Sequence, residues 1–161
     1  MSVIRVCGVD PGKVLTWTIV DVSPTVCHWV DSGTVSGTPL AMAHALHDRV
    51  GDNLVELVAF ELYDPGEWIG GARAGAAVAT WQTGARAMGA LEAWLVPCVL
   101  YSAQTWRRGT VGTRSPKDSE IRHWLEQWGK VELPKRTNAD SRDAAGLAIH
   151  AGRVAMKEGG R

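Results

Sequence analysis

Four carboxylates stand where acidic side chains could do chemistry. Asp10 closes the apolar run "SVIRVCGVD", and Pro11-Gly12 bends the backbone immediately after it. Glu61 ends a second apolar run within "VELVAFELY". Asp140 and Asp143 stand three residues apart in "NADSRDAAGLAIHAGR", a spacing that places both on one face of a helix near its start. On its own, "GVDPGK" allows either a loop that cradles phosphate or a carboxylate held at a strand tip to grip a metal ion. Four such groups gathered without a cation would repel one another and raise one another's pKa values. Mg²⁺ resolves that conflict, because it prefers oxygen ligands and tolerates bound waters. A helix N-terminus also favours ionised Asp140 and Asp143. Taken singly, each acid has a plainer role: Asp before Pro-Gly is turn chemistry, Asp140 suits a helix start, and Asp143 a solvated turn. Glu61 is different, since a carboxylate at the end of an apolar strand needs a partner.

The elements that must position these acids follow from hydrophobic period and punctuation. "SVIRVCGVD", "VLTWTIVDV" and "VCHWVDSGTV" read as three strands with short connections, an antiparallel meander. Thr38-Pro39 opens a helix with Leu40, Ala43, Leu46 and Val50 at helical spacing, stopped by Gly51. "VELVAFELY" is mostly apolar and reads as a central strand. A helix follows from about Ala72 to Leu95, rich in Gly and Ala, with Trp81, Met88, Leu91 and Leu95 on its apolar face. "CVLYS" is a fifth strand, and "WRRGTVGTR" a basic loop. Ser115-Pro116 opens a helix carrying Ile121, Trp124, Leu125 and Trp128. The final helix, capped by Thr137 or Asn138, carries Asp140 and Asp143. The expected architecture is α/β: three antiparallel strands extended by two parallel ones, with helices on both faces. One domain over residues 1–157 is expected, with a frayed tail at 158–161.

Composition narrows the partners. Lys plus Arg and Asp plus Glu both number 17, so a globally basic nucleic-acid binder is not indicated. The charge is nevertheless uneven. Residues 102–136 hold eight basic side chains (Arg107, Arg108, Arg114, Lys117, Arg122, Lys130, Lys135 and Arg136) against four acidic ones, a local net of +4. A basic patch beside an acidic metal site suits a polyanion, and a solvated charged face explains the same residues without one. Cys7, Cys27 and Cys98 have no metal-type spacing and read as buried, reduced thiols. No leader or membrane-spanning run is visible, which makes a cytoplasmic protein the expectation. Trp81, Trp124 and Trp128 read as core, and Trp17 and Trp29 as strand residues able to form cross-strand pairs. Tyr63 and Trp68, just past Glu61, could stack on unpaired bases or bury locally. The five histidines show no ligand pattern, and His44 and His47 read as surface residues.

The acids and the element order together resemble the RNase H-like superfamily, and within it the RuvC-type Holliday junction resolvases. "GVDPG" resembles the first-strand motif, "AFELY" the strand that supplies a glutamate, and "ADSRDAAGLAIHAGR" the closing helix with its two aspartates. "QTWRRGTVGTRSPKDSEIRHWL" resembles the basic segment before that helix. The resemblance implies Asp10, Glu61, Asp140 and Asp143 as metal ligands, with Asp10 bridging two Mg²⁺ ions for which Mn²⁺ would substitute. It implies two-metal phosphodiester hydrolysis leaving a 5′-phosphate and a 3′-hydroxyl. Arg107, or Arg108 in the alternative register, and Lys117, within one residue, match basic positions near the scissile phosphate. Arg107, Arg108, Arg114 and Lys117 would contact DNA together with Tyr63 and Trp68. The implied partner is a four-way DNA junction, with no membrane and no nucleotide cofactor. Paired cuts call for a homodimer. The Gly/Ala-rich helix offers an interface through Ala74, Ala77, Gly84, Ala85, Met88 or Trp81, unless its small residues serve only to approach its own sheet. Alternatives are a nuclease of the same fold acting on other branched or single-stranded nucleic acid, and a non-enzymatic junction-binding protein. "GVDPG" also resembles the first phosphate loop of actin-like ATPases, but that fold needs two such domains and a second loop.

Overall fold

The computed structural model describes residues 3–62 and 74–159. Its sheet has five strands in the order β3-β2-β1-β4-β5. β1 (Ile4–Pro11), β2 (Leu15–Val22) and β3 (Cys27–Val35) form the antiparallel meander. β4 (Leu57–Leu62) pairs parallel with β1, and β5 (Cys98–Ser102) parallel with β4. The crossovers are α1 (Pro39–Asp52) and α2 (Ala74–Ala93), followed after β5 by α3 (Ala103–Thr110), α4 (Asp118–Gln127) and α5 (Ala139–Gly159). The expected mixed sheet with helices on both faces is therefore present, and the fold is RNase H-like.

Strand pleat divides the core in two. Cys7, Val9, Val58 and Phe60 point to one face and pack against Met42 and Leu46 of α1 and Ala87 and Leu91 of α2. Val6 and Ala59 point to the other face, with Trp106 of α3, Ile121 and Leu125 of α4, and Ala145, Ala148 and Ile149 of α5. Period-2 alternation then assigns Gly8, Asp10 and Glu61 to the α5 face.

α5 lies on the sheet at backbone distance. A Cβ on Gly8 would run into the carbonyl oxygen of Ala144, and one on Gly152 would come within 2.9 Å of the Val22 side chain. Thr18 Oγ1 on β2 donates to the Ser141 carbonyl at 2.9 Å. Asn138 caps the helix, its Oδ1 accepting from the Ser141 N–H at 2.8 Å.

Several local expectations are corrected. The segment read as a basic loop is in part helix: Ser102 Oγ accepts from the Thr105 N–H, α3 runs to Thr110, and Gly112 turns the chain at φ +85°. Gly109 inside α3 is not a breaker, because a side chain there would strike the His150 ring. α1 continues one residue past Gly51, and Asn53 closes it by donating its backbone N–H to the Arg49 carbonyl. Leu40 is exposed, and Met42 takes the inward position at the start of α1. α2 ends at Ala93, and Leu95 lies beyond it at φ +63°, 90% exposed. Trp128 at the end of α4 is 70% exposed rather than core. Trp81 is 40% exposed, over a cleft of about 280 Å³ shared with Pro11, Phe60, Gly84 and Leu100. Trp17 and Trp29 each have a cross-strand partner, as expected: Trp17 pairs with Gly33, and Trp29 with Val20. His44 is exposed as expected, and with the half-buried His47 it packs on Trp94.

Candidate active site

The site is assembled where two parallel strands end under the start of α5. β1 and β4 are in register up to the Val9–Phe60 pair, so Asp10 and Glu61 are the next residues along each strand. Parallel pairing places these two acids side by side, and the pleat turns both toward α5. Asp143, in the second turn of α5, is half-buried over them, and Asp140 is exposed at the rim. The start of α5 is held by its own residues as well as by Thr18. Arg142, 9% exposed, donates from Nε and Nη2 to both carboxylate oxygens of Asp118 on α4, at 2.9 and 2.7 Å, and from Nη1 to the Thr137 carbonyl. Such a fork fixes direction as well as distance.

Glu61 has the partner that its position demanded. The fully buried indole of Trp106 donates Nε1–H to Glu61 Oε2 at 2.7 Å. Trp106 is wedged between sheet and α5, and a Cβ on Gly146 would come within 2.7 Å of its ring. Arg107, the next residue of α3, donates from Nη2 to Asp143 Oδ2 at 2.6 Å and stands 4.0 Å from Glu61 Oε2. Its Cζ lies 5.2 Å from the Trp106 ring centroid. Its buried Nε has no hydrogen-bond partner. Trp106→Phe keeps an aromatic wedge but strips Glu61 of its donor. The expected cost is about 2 kcal/mol of folding stability, read as a lower urea midpoint at unchanged slope.

The electrostatics follow from this crowding. Burial pushes the Asp10 carboxyl up to about 8, helped by the charges of Glu61, Asp143 and Asp140 and opposed by Arg107. Glu61 is raised by burial and Asp143's charge, against Arg107 and the Trp106 hydrogen bond. Asp143 is raised by burial, against its ion pair with Arg107. The acids share one sheet edge, as the sequence implied, but they do not close into a cage. Among the described residues no three His, Cys, Asp or Glu side chains are gathered closely enough to hold a metal ion. One member of the set, Asp143, is already ion-paired to a guanidinium. The donors themselves suit a hard divalent cation, being all oxygen and in excess over the single buried positive charge among them.

The remaining basic candidates are spread out. Arg108, Arg114 and Lys117 are exposed, and none forms an ion pair among the described residues. Lys117 occupies the N-cap position of α4, its backbone N–H donating to Glu120 Oε2. Of the two adjacent arginines, Arg107 is the one placed at the acids. Tyr63 and Trp68 lie outside the described residues. Sequence reasoning missed Trp106, Thr18 and Arg142. The unmet need of Glu61 signalled that a donor existed, but nothing in the spacing said which of eight tryptophans supplied it.

No protein-family model matches the chain, and no curated protein matches it. Solved structures do. RuvC of Thermus thermophilus, in complex with a Holliday junction substrate, superposes with a TM-score of 0.71 at 17% identity, covering 96% of each chain. The chain has the RuvC fold. A second structure of RuvC from the same organism gives a TM-score of 0.65 at 20% identity, over 96% of this chain and 97% of that one. The yeast mitochondrial Holliday junction resolvase Ydc2 gives 0.57 at 12% identity, over 96% and 82%.

Proposed function

We propose that this protein is a metal-dependent endonuclease that resolves four-way DNA junctions, cutting paired strands to leave 5′-phosphate and 3′-hydroxyl ends. The observation that carries the reading is the acidic edge: Asp10 and Glu61 end adjacent parallel strands beneath the Asp143 face of α5. The likeness to RuvC bound to a Holliday junction substrate, and to a Holliday junction resolvase from yeast mitochondria, supports the choice of substrate. When bound, two Mg²⁺ ions, with Mn²⁺ as a substitute, supply a water of lowered pKa and charge for the leaving oxygen. Asp10, Glu61, Asp140 and Asp143 are the residues that would hold them. Trp106 keeps one oxygen of Glu61 occupied and so orients the other. Arg107 and Lys117 offer charge at the scissile phosphate, and Arg108 and Arg114 track the DNA backbone. Tyr63 and Trp68 stack on unpaired bases at the junction centre.

Paired cutting requires two sites in matched orientation, hence a homodimer. α2 leaves Val78 and Trp81 about two-fifths exposed, an apolar surface available to a second copy. Gly84 does not contribute to it, since a side chain there would meet Pro11 of the chain's own β1.

The test is cleavage of labelled four-way, three-way, duplex and single-stranded DNA in Mg²⁺ and in EDTA, with sedimentation of the same preparation. Symmetric cuts confined to the four-way substrate in Mg²⁺, by a dimer, are the expected result. Equal cutting of single strands would replace the junction reading with a general nuclease, and binding without cleavage would leave a junction-binding protein.

A further inference from the structure

Arg107 is bonded to one of the residues that the reading above assigns to metal and lies close to a second. Its Nη2 holds Asp143 Oδ2 at 2.6 Å and lies 4.0 Å from Glu61 Oε2. A guanidinium in that place competes with a divalent cation for the same oxygens. The ion pair is also incomplete. Nε of Arg107 is buried with no partner, so the side chain engages Asp143 through one arm of its fork. A phosphate can take the two-armed contact that uses Nε, which Asp143 in its present position does not make.

We infer that Arg107 is an internal counter-ion that withholds Asp143 and Glu61 from a divalent cation until a DNA phosphate draws its guanidinium away, so that DNA binding and cation binding strengthen each other. This rests on the endonuclease reading. Its physical content is a coupling free energy: whatever removes Arg107 from Asp143 favours the cation, and the cation reciprocally favours the DNA-engaged position of Arg107. Arg108, one residue on and exposed, makes no ion pair with these acids and does not serve in this role.

The experiment is Mn²⁺ binding to the intact protein, followed by the electron paramagnetic resonance signal of free Mn²⁺. It is run without DNA and with a phosphorothioate four-way junction that slows cleavage, after subtracting Mn²⁺ held by the DNA alone. The expected wild-type result is weak binding that tightens about tenfold on junction addition. Arg107→Met keeps length and removes charge. It should bind Mn²⁺ about tenfold tighter than wild type without DNA, with the gain on adding DNA shrinking to about twofold or less. Arg107→Lys retains a cation and should stay near wild type. A folded Met variant with unchanged or weaker Mn²⁺ affinity overturns the counter-ion role. So does a wild-type affinity that DNA does not alter, a result that needs no variant. If the Met variant fails to fold, Arg107→Gln is read the same way. Wild-type protein that binds no Mn²⁺ with or without junction, and cuts nothing, removes the endonuclease reading. Wild-type cleavage with no gain in the variant removes only the counter-ion.

Discussion

Asp10→Asn should lower single-turnover cleavage of a four-way junction on the order of a thousandfold or more while leaving junction binding intact or tighter. Burial raises the Asp10 pKa most, and the charges of Glu61, Asp143 and Asp140 raise it further. A carboxylate in that position is worth keeping only if a cation repays the repulsion. The amide is isosteric and cannot provide the negative charge that holds the ion. It adds no charge that would repel DNA phosphates, so affinity in EDTA should not fall. Glu61→Gln and Asp143→Asn should behave alike, and Asp140→Asn, at the exposed rim, should be milder. The measurement is a rate with enzyme in excess beside a gel-shift affinity for the same preparation. Cleavage by Asp10→Asn at the wild-type rate in Mg²⁺ would end the two-metal reading.

Gly8→Ala should cost about 4 kcal/mol or more of folding stability, the upper range for a single methyl group. Gly8 is fully inside the α5 contact, and its missing side chain is the space occupied by the Ala144 carbonyl. The obstacle is backbone on both sides, so no rotamer change relieves it. α5 must lift from β1, and Asp143, one residue before Ala144, moves with it. Any protein that remains folded should therefore also cleave poorly. Urea denaturation checks the first effect, and cleavage at low temperature the second. A variant as stable as wild type would mean that the helix can ride outward without loss. The same substitution at Gly51, which has open space around it, should be nearly neutral or slightly stabilising.

Much of this architecture was legible because the chain is well punctuated. Asp10-Pro11-Gly12, Ser23-Pro24 and Thr38-Pro39 each mark an element boundary, and β-branched runs fill the strands between them. The acidic edge was legible too, since Asp10, Glu61 and the Asp140–Asp143 pair carry position along with charge. What escaped was whatever depends on contacts across the fold. α3 is short and contains Gly109, so a helix capped by Ser102 read as a loop. Gly109 became intelligible only once His150 was seen above it. Trp128 and Trp81 have helical spacing with buried neighbours yet sit at a helix end and beside a surface cleft, where period no longer dictates burial. The deepest omission was charge balance. Four acids imply a cation, but that the chain provides one of its own, in Arg107, required seeing α3 laid beside α5.

The seating of α5 on β1 also has a bearing on time. The two elements are separated by more than a hundred residues, yet Gly8 touches Ala144 and Thr18 bonds to Ser141. Contacts of such long sequence separation form late, after the loop between them has been closed at an entropic cost. A nascent chain that has completed only the sheet, α1 and α2 already carries Asp10 and Glu61, but has neither Asp143 opposite them nor Trp106 to orient them. Such a chain therefore holds one of the two core layers and two of the four acids. α5 supplies both the second layer and the remaining two acids, so that layer and the acidic edge depend on the same contact.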